Sequence, residues 1–330
     1  MRGAGRAVAA AALLAAAVGT GAGFPGGLPD GGAAPLRPVT FMLDWFPNPD
    51  HVPLYAALGE GYFTQAGLRV VLEVPAGTDD PLKLAAVGKV DVAVNYEPNV
   101  IIARAQGLPV RSIGLLIDRP LTTVMFLKSS GIRTPKDLVG RQVGFAVTGF
   151  ADAMLDQVMR SDGASESNVK MVNVGFDLVP ALLAHKVAAV VGAYRNYERI
   201  QLELQGQAVG MFEPEKYGVP TFYELVLITN DAAAGRRAEV LRRFVEAVDR
   251  GVTFTLAHPQ EAFRLYVREA HDPKLNDALN QRSFQASLPY YARNQHQSAE
   301  QWRGFSRWLA ARKVIKTPVP ADQLYTNLVP

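Results

Sequence analysis

Short apolar runs alternate with amphipathic segments along most of the chain. The run Val39 to Leu43 reads as a buried strand, and Leu54, Leu58 and Tyr62 then recur every four residues, which is typical of one helix face. The predicted strands are 39–43, 69–74, 90–94, 110–117, 122–127, 142–146, 169–174, 188–192 and 222–229, and the predicted helical segments between them are 53–66, 81–87, 98–106, 135–138, 152–161, 178–186 and 196–205. Such alternation predicts parallel sheets covered by helices on both faces.

Beyond residue 229 the pattern becomes almost purely helical, with predicted helices at 236–257, 259–270, 275–288 and 298–313. We expect this tail to pack on the first half, which has fewer helices of its own. The predicted fold is α/β with two lobes, each a mainly parallel sheet flanked by helices. Residues 38–119 and 226–330 form lobe 1, and residues 120–225 form an inserted lobe 2. Chain crossings near 118–123 and 221–225 form a hinge about which the lobes close on a ligand.

The start of the chain has the three parts of a secretory signal peptide: Arg2 and Arg6, an apolar run from Ala7 to Val18, and an exit of small residues up to Gly23. The run is shorter than the ~20 apolar residues of a membrane-spanning helix. Residues 24–37 are rich in Gly and Pro and predict a flexible leader. We therefore expect residues 1–23 to be removed and the protein to be periplasmic, without membrane insertion.

Composition narrows the possible functions. The 330 residues are 48% hydrophobic and 20% charged, which is typical of a globular protein with a sizeable core. Two of the three excess positive charges lie in the predicted signal peptide, so the remainder carries +1, which does not indicate a nucleic-acid partner. The sequence contains no cysteine, which excludes disulfides, thiolate metal sites and a lipid-modified cysteine. The five histidines lack paired spacing, and we expect no metal or cofactor.

Several segments resemble one family of binding proteins. They are the opening FMLDWFPNPDHVPLYAALGEGYF (41–63), AVGKVDVAV (86–94), SGIRTPKDLVGRQVG (130–144) and YELVLITND (223–231). These segments are similar to the thiamine-pyrimidine-precursor family, which includes bacterial binding proteins for formylaminopyrimidine or hydroxymethylpyrimidine. A fungal pyrimidine synthase shares their type II periplasmic-binding-protein fold. The order and spacing of the segments imply the same fold here.

The resemblance implies a monomeric substrate-binding component of an ABC importer, which delivers a small aromatic heterocycle to a permease. Flavin, purine, sulfonate and nitrate remain alternative ligands. The fungal synthase resembles the chain around His51 but carries a cysteine-rich stretch where this chain has Val219 to Tyr223. We therefore expect no catalytic residues and no enzymatic activity.

Candidate ligand-binding residues follow the carboxyl ends of predicted strands, where open α/β sheets bind ligands. Asp44, Trp45 and Asn48 come after the first strand. Trp45 either stacks on the ligand or fills the core, and Asn48 either contacts the ligand or caps the following helix. His51 opens that helix, where the helix N-terminus disfavours a protonated imidazole. It either forms a hydrogen bond with the ligand or caps the helix at the surface.

Three further segments carry candidates. Tyr96 and Glu97 follow the third strand, and Glu97 either forms a charge-assisted fork with an aminopyrimidine or is a first-turn glutamate favoured by the helix dipole. Phe145, Thr148 and Phe150 lie in a Gly-flanked turn whose backbone amides could bind a polar substituent or phosphate. Asp79 or Asp80 is expected to cap the N-terminus of the predicted helix 81–87.

The remaining candidates come from lobe 2 and the second crossing. Tyr194 follows strand 188–192, and we expect it to cover the ring face opposite Trp45. Its neighbour Tyr197 is expected to pack, and Glu198 or Arg199 to be solvated. Tyr223 and Glu224, on the crossing, can reach the cleft from the hinge.

Overall fold

Two five-stranded sheets form the framework of the protein in a computed structural model that describes residues 35–329. The strands are β1 (Arg37–Met42), β2 (Leu68–Glu73), β3 (Val92–Asn95), β4 (Val110–Ile117), β5 (Thr122–Leu127), β6 (Gln142–Phe145), β7 (Lys170–Asn173), β8 (Ala189–Tyr194), β9 (Val209–Phe212) and β10 (Leu225–Asn230). The first sheet has the order β2-β1-β3-β10-β4, and the second has the order β7-β6-β8-β5-β9. The predicted signal peptide and residues 24–34 of the predicted leader lie outside the described residues.

Each sheet contains one strand that runs against the other four. In the first sheet β10 is antiparallel to β3 and β4, and in the second β5 is antiparallel to β8 and β9. Both reversed strands are buried along their whole length, as expected for strands inside a sheet covered on two faces. They are also the strands that follow the two chain crossings. The structure therefore confirms an α/β fold with two mainly parallel sheets.

The helices cover both sheets. They are α1 (Val52–Gly59), α2 (Tyr62–Gln65), α3 (Asp80–Ala86), α4 (Glu97–Ala105), α5 (Phe150–Arg160), α6 (Leu178–Leu183), α7 (Glu198–Leu204), α8 (Asp231–Arg236), α9 (Ala238–Ala257), α10 (Pro259–Glu269), α11 (Ala278–Ser287), α12 (Ala299–Ala311) and α13 (Ala321–Leu324). From the tail, α9 and α10 pack on α1, while α12 and α13 pack on α4. Gly251 permits the close approach of α9 to α1, because a Cβ there would lie 2.3 Å from the carbonyl oxygen of Pro53. The helical tail thus covers the first sheet, as predicted.

We refer to the first sheet with its helices as lobe 1 and to the second sheet with its helices as lobe 2. The residue boundaries predicted between them remain a proposal. One buried apolar cluster contains Met42 and Val226 of lobe 1 together with Val143 and Val191 of lobe 2. The lobes therefore pack against each other in this conformation.

Some element boundaries differ from the sequence predictions. The predicted helix 53–66 divides into α1 and α2 at Gly61, whose φ of +69° is left-handed and ends the regular helix. The predicted helix 236–257 corresponds to α9, and the short helix α8 before it was not predicted. Sequence analysis missed β9, a four-residue strand whose apolar pattern is interrupted by Gly210. It also missed the single turn of α13.

Candidate ligand-binding site

A cavity lies between the two lobes, with about 790 Å³ of empty space when its open mouth is included. Both lobes and both crossings line it, through Asp44, Trp45, Asn48, Asp50, Tyr96, Asn99, Thr122, Ala146, Val147, Phe150, Ala151, Met154, Leu178, Val191, Gly192, Tyr194, Tyr197, Glu198, Phe222, Glu224 and Leu225. Six predicted site residues are on this wall: Asp44, Trp45, Asn48, Tyr96, Tyr194 and Glu224.

The loop after β1 holds a hydrogen-bonded chain beside the cavity. The carboxylate of Asp44 has one oxygen 2.8 Å from Nε2 of His51 and accepts a 2.9 Å hydrogen bond from the Tyr96 hydroxyl on the other. Asn48 accepts from the backbone amide of Asp50 and thereby caps the turn that begins the helix. Asp44 therefore uses both oxygens within the protein and orients Tyr96 at the cavity wall.

Two aromatic residues of the wall reach across the cleft in opposite directions. Trp45 of lobe 1 is half-buried and packs against the apolar cluster of lobe 2, with its ring 4.6 Å from that of Phe176. Tyr194 of lobe 2 packs against the apolar cluster of lobe 1. Trp45 is therefore not a core residue of its own lobe, and both side chains lie at the junction of the two lobes beside the cavity.

Two carboxyl groups of the wall are anchored by one oxygen each. Oδ1 of Asp50 accepts hydrogen bonds from the Asn196 amide at 2.7 Å and the Ser287 hydroxyl at 2.8 Å. Oε2 of Glu198 accepts from the backbone amide of Tyr194 at 2.7 Å. The second oxygen of each has no hydrogen-bond partner within residues 35–329. Each group is thus held in place while one acceptor remains for a ligand.

Glu224 connects the two crossings at the cavity wall. Its Oε2 accepts hydrogen bonds from the backbone amides of Leu121 at 2.6 Å and Thr122 at 2.9 Å. Burial raises the pKa of Glu224 to about 7, and hydrogen bonds from these amides and from Tyr194 oppose that rise. The first crossing is therefore tied to the second by a carboxyl group that also faces the cavity.

Burial has the same effect on the other anchored carboxyl groups. It raises the pKa of Asp50 to about 6 and the pKa of Glu198 to about 7, although their hydrogen bonds act in the opposite direction. The lining residues, all within the described part of the chain, include no lysine or arginine. The cavity is consequently acidic and aromatic, and it favours ligands that donate hydrogen bonds or carry positive charge.

Five predicted site residues do not line the cavity. His51 is fully buried against Asp44, and Phe145 packs into the apolar cluster shared by the lobes. Thr148 bonds to Asp79 of lobe 1. The two others, Glu97 and Tyr223, are treated next. The side chains of all five are instead committed to contacts within the protein, so these positions do not contribute to the cavity wall.

Glu97 is committed to the protein rather than to the cavity. Its Oε2 accepts hydrogen bonds from the backbone amide of Tyr223 at 2.7 Å and from the side-chain amide of Gln301 at 3.0 Å. The Tyr223 hydroxyl in turn accepts from the backbone amide of Ser298. One of the two oxygens that a fork with a pyrimidine would use is therefore occupied by the second crossing and by α12.

Comparison with known proteins places the chain in a family. Residues 48–262 match the family model described as NMT1/THI5 like. The chain belongs to the NMT1/THI5-like family. Within the described residues of this NMT1/THI5-like chain, no helix has the length and apolarity needed to cross a membrane, and no group of acidic residues and histidines is arranged to hold a metal ion.

The names of relatives of the NMT1/THI5-like chain refer to ligand binding, to thiamine biosynthesis or to an enzymatic activity. The formylaminopyrimidine-binding protein of Halalkalibacterium halodurans is 34% identical over 301 residues, covering 89% of this chain and 91% of that protein. A Haemophilus influenzae protein whose name refers to thiamine biosynthesis is 38% identical over 280 residues, covering 84% and 88%. The 4-amino-5-hydroxymethyl-2-methylpyrimidine phosphate synthase of Legionella pneumophila is 28% identical over 292 residues, covering 88% and 91%.

Solved structures establish the fold of this NMT1/THI5-like chain. The alkanesulfonate-binding protein of Xanthomonas axonopodis pv. citri, bound to MOPS, superposes with a TM-score of 0.70 at 14% identity, covering 89% of this chain and all of that one. The periplasmic-binding-protein fold predicted from the sequence is confirmed.

Sequence analysis missed several wall residues of this NMT1/THI5-like chain. The expectation of a solvated Glu198 was wrong, since only 8% of the residue is exposed, and Tyr197 lines the cavity beside it. Both follow the carboxyl end of β8, the same signal that selected Tyr194. Asp50 likewise follows Asn48, which was chosen, and Phe150, named with its turn, does line the cavity. The carboxyl ends of strands therefore mark the region of the cavity, but the sequence does not reveal which neighbouring side chain turns inward.

We expect Trp45→Ala to weaken ligand binding at least tenfold, about 1.4 kcal/mol, with little change in melting temperature. Aromatic stacking contributes about 0.5–1.5 kcal/mol beyond the burial of surface, and the half-buried ring is outside its lobe's core. Trp45→Phe should be milder. Phe46→Ala is the matched control, because Phe46 is 48% exposed and does not line the cavity. Calorimetric titration beside thermal melting measures both effects. Near-normal affinity with a large loss of stability would remove Trp45 from the site.

Proposed function

We propose that this protein is the substrate-binding component of an ABC importer and captures an aminopyrimidine of the thiamine-precursor type, formylaminopyrimidine or hydroxymethylpyrimidine. The observation that carries the proposal is the composition of the cavity between the lobes. It combines an aromatic ring from each lobe, Trp45 and Tyr194, with carboxyl groups that each keep an acceptor oxygen, and no lysine or arginine lines it within the described residues.

The chemistry of an aminopyrimidine fits this wall. Its flat ring matches Trp45 and Tyr194, and its amino group or protonated ring nitrogen can donate a charge-assisted hydrogen bond to a carboxylate oxygen. Glu198 is the best placed partner, because Tyr194 fixes one oxygen and leaves the other for the ligand. A protonated ring nitrogen would also favour the ionised form of Glu198 and offset the effect of burial on its pKa.

The alternative ligands fit less well. Sulfonate and nitrate are anions that need convergent positive groups or hydrogen-bond donors, and phosphate-bearing flavins share that need. In this cavity they would face Asp50, Glu198 and Glu224. Bringing an anion near buried carboxylates costs free energy because like charges disfavour each other in a low-dielectric setting. A neutral purine is the alternative ligand that this argument leaves open.

The importer role and the periplasmic location rest on several supports. The chain shares its fold with periplasmic binding proteins, and a relative of 34% identity is named as a formylaminopyrimidine-binding protein. The N-terminal pattern predicts export. We propose that the lobes open and close about the crossings at 118–123 and 221–225, where Glu224 ties one crossing to the other.

A pyrimidine synthase is the second candidate, because some relatives carry that name. Two features speak against it. The chain has no cysteine at all, and His51 is buried against Asp44 rather than exposed in the cavity. Incubation with pyridoxal phosphate, iron and oxygen should leave His51 intact by peptide mass spectrometry. Loss of His51 together with pyrimidine product would establish the synthase instead.

The direct test is calorimetric titration of the purified protein with formylaminopyrimidine, hydroxymethylpyrimidine, adenine and an alkanesulfonate. We expect tight binding of one aminopyrimidine, at least a hundredfold weaker binding of adenine, and none of the sulfonate. Native mass spectrometry of protein isolated from its own cells should retain a ligand of matching mass. Preference for adenine or for the sulfonate would overturn the proposed ligand class.

A further inference from the structure

A second set of contacts joins the lobes away from the two crossings. It connects the loop before α3 and one residue of α4, both in lobe 1, with the turn between β6 and α5 in lobe 2. The lobe 1 residues are Thr78, Asp79 and Asn99, and the lobe 2 turn is Ala146 to Thr148. We call this set the cross-lobe clasp.

Every lobe 1 member of the clasp bonds to the lobe 2 turn. The Thr78 hydroxyl donates to the carbonyl oxygen of Ala146 at 2.6 Å. Asp79 accepts from the Thr148 backbone amide at 3.2 Å and from the Thr148 hydroxyl at 3.0 and 3.1 Å. The side-chain amide of Asn99 donates to the carbonyl oxygen of Thr148 at 2.8 Å. Backbone groups of both Ala146 and Thr148 are therefore bonded to lobe 1.

Asp79 pairs with Lys83 of α3 at 3.6 Å but does not cap that helix. Asp79 occupies the N-cap position of α3, where an aspartate normally accepts a hydrogen bond from the first turn, yet its side chain makes no such bond. Asp80 bonds instead to the backbone amide of Gly77. The expected cap is thus absent from α3, and the carboxylate of Asp79 is directed across the cleft to Thr148.

The clasp is continuous with the wall of the cavity. Ala146 and Val147 line the cavity before Thr148, and Phe150 and Ala151 line it after Gly149. Asn99 lines the cavity too. Fixing the backbone of this turn against lobe 1 therefore fixes one side of the ligand cavity.

We propose that Asp79, with Thr78 and Asn99, positions the 146–151 wall and holds the ligand by keeping the cavity closed. The proposal rests on the proposed binding function. The bonds of the clasp are partly exposed, and a hydrogen bond that competes with water contributes only modestly to stability. A contact of that strength slows opening without preventing release. Asp79 and its partners are thus positioning residues that act on the dissociation rate.

Stopped-flow kinetics with the aminopyrimidine that binds best test this role. Asp79→Ala should raise the dissociation rate about 3- to 10-fold and change the association rate less than twofold, as expected for loss of one or two modest hydrogen bonds. Thr78→Val should act in the same direction. Asp79→Asn should keep the dissociation rate close to that of the parent, because its side-chain oxygen still accepts from Thr148. Asp322→Ala, at an exposed aspartate of α13, is the control and should change neither rate.

A ligand-free measurement separates this proposal from the proposed function. The chain has no cysteine, so Val87→Cys in lobe 1 and Val139→Cys in lobe 2 place one dye on each lobe at exposed positions. Energy transfer should show a longer mean distance for Asp79→Ala than for the parent pair, whether or not any pyrimidine binds. An unchanged distance together with an unchanged dissociation rate would overturn the clasp, whereas failure of all ligands to bind would overturn only the proposed function.

Discussion

Replacing Glu198 by glutamine should weaken binding of the aminopyrimidine by about 2–3 kcal/mol, a factor of roughly 30 to 150. In the folded protein one oxygen of Glu198 accepts from the Tyr194 amide. A glutamine keeps that bond through its oxygen, so its NH₂ group then faces the ligand's amino group. Two hydrogen-bond donors cannot pair, and the charge-assisted hydrogen bond between Glu198 and the ligand is lost. Calorimetric titration of the parent and the variant at pH 7.5 measures the change.

Glu203→Gln is the matched control for this experiment. Glu203 lies on the same helix, α7, and pairs at the surface with Arg199. Its replacement should leave affinity within a factor of two. Comparable losses in both variants, or unchanged affinity in Glu198→Gln, would show that Glu198 does not receive the ligand.

The second large effect is expected for stability at alkaline pH, through Glu97. Burial raises the pKa of Glu97 from its ordinary value of 4.5 to about 8, more than its bonds to Gln301 and Tyr223 lower it. The folded state therefore keeps a proton that the unfolded chain loses between about pH 4.5 and pH 8. Stability falls as pH rises through that window. Asp50, Glu198 and Glu224 act in the same direction up to about pH 6 or 7.

Glu97→Gln should remove most of the dependence above pH 7 and raise the free energy of unfolding at pH 8 by about 1–3 kcal/mol. A glutamine oxygen accepts the two existing hydrogen bonds, and the amide has no proton to lose as the pH rises. Urea unfolding of the ligand-free protein at pH 5 and pH 8 provides the comparison, with Glu300→Gln, an exposed residue of α12, as control. A variant that is less stable than the parent at both pH values would contradict this account.

Much of the fold followed from local pattern. The strands β4 and β5 have the bounds that the sequence predicted, and most other strands and helices differ by one to three residues. Runs of β-branched residues, and apolar residues that recur every four positions, are signals confined to a few neighbouring residues. They can therefore be recognised without the tertiary structure. Elements defined by weak or interrupted patterns, such as β9, were missed for the same reason.

The region of the candidate site was also accessible from the sequence. Asp44, Trp45, Tyr96 and Tyr194 all follow strand ends, and the parallel arrangement brings those ends to one edge of each sheet. Sequence resemblance added the expected fold and ligand class, and the fold is confirmed. The lack of cysteine, which excludes thiol chemistry, needed no structure at all.

Only the tertiary structure decided which side chain at each strand end enters the cavity. Asp50 is oriented by Asn196 and Ser287, which lie 146 and 237 residues away along the chain. Glu97, chosen as a ligand partner, is instead bound by Tyr223 and Gln301. A buried carboxyl group takes the partners that satisfy it, because leaving it unpaired costs more than any local preference contributes. Those partners come from distant segments, so the choice between ligand and protein is made by packing and not by local sequence.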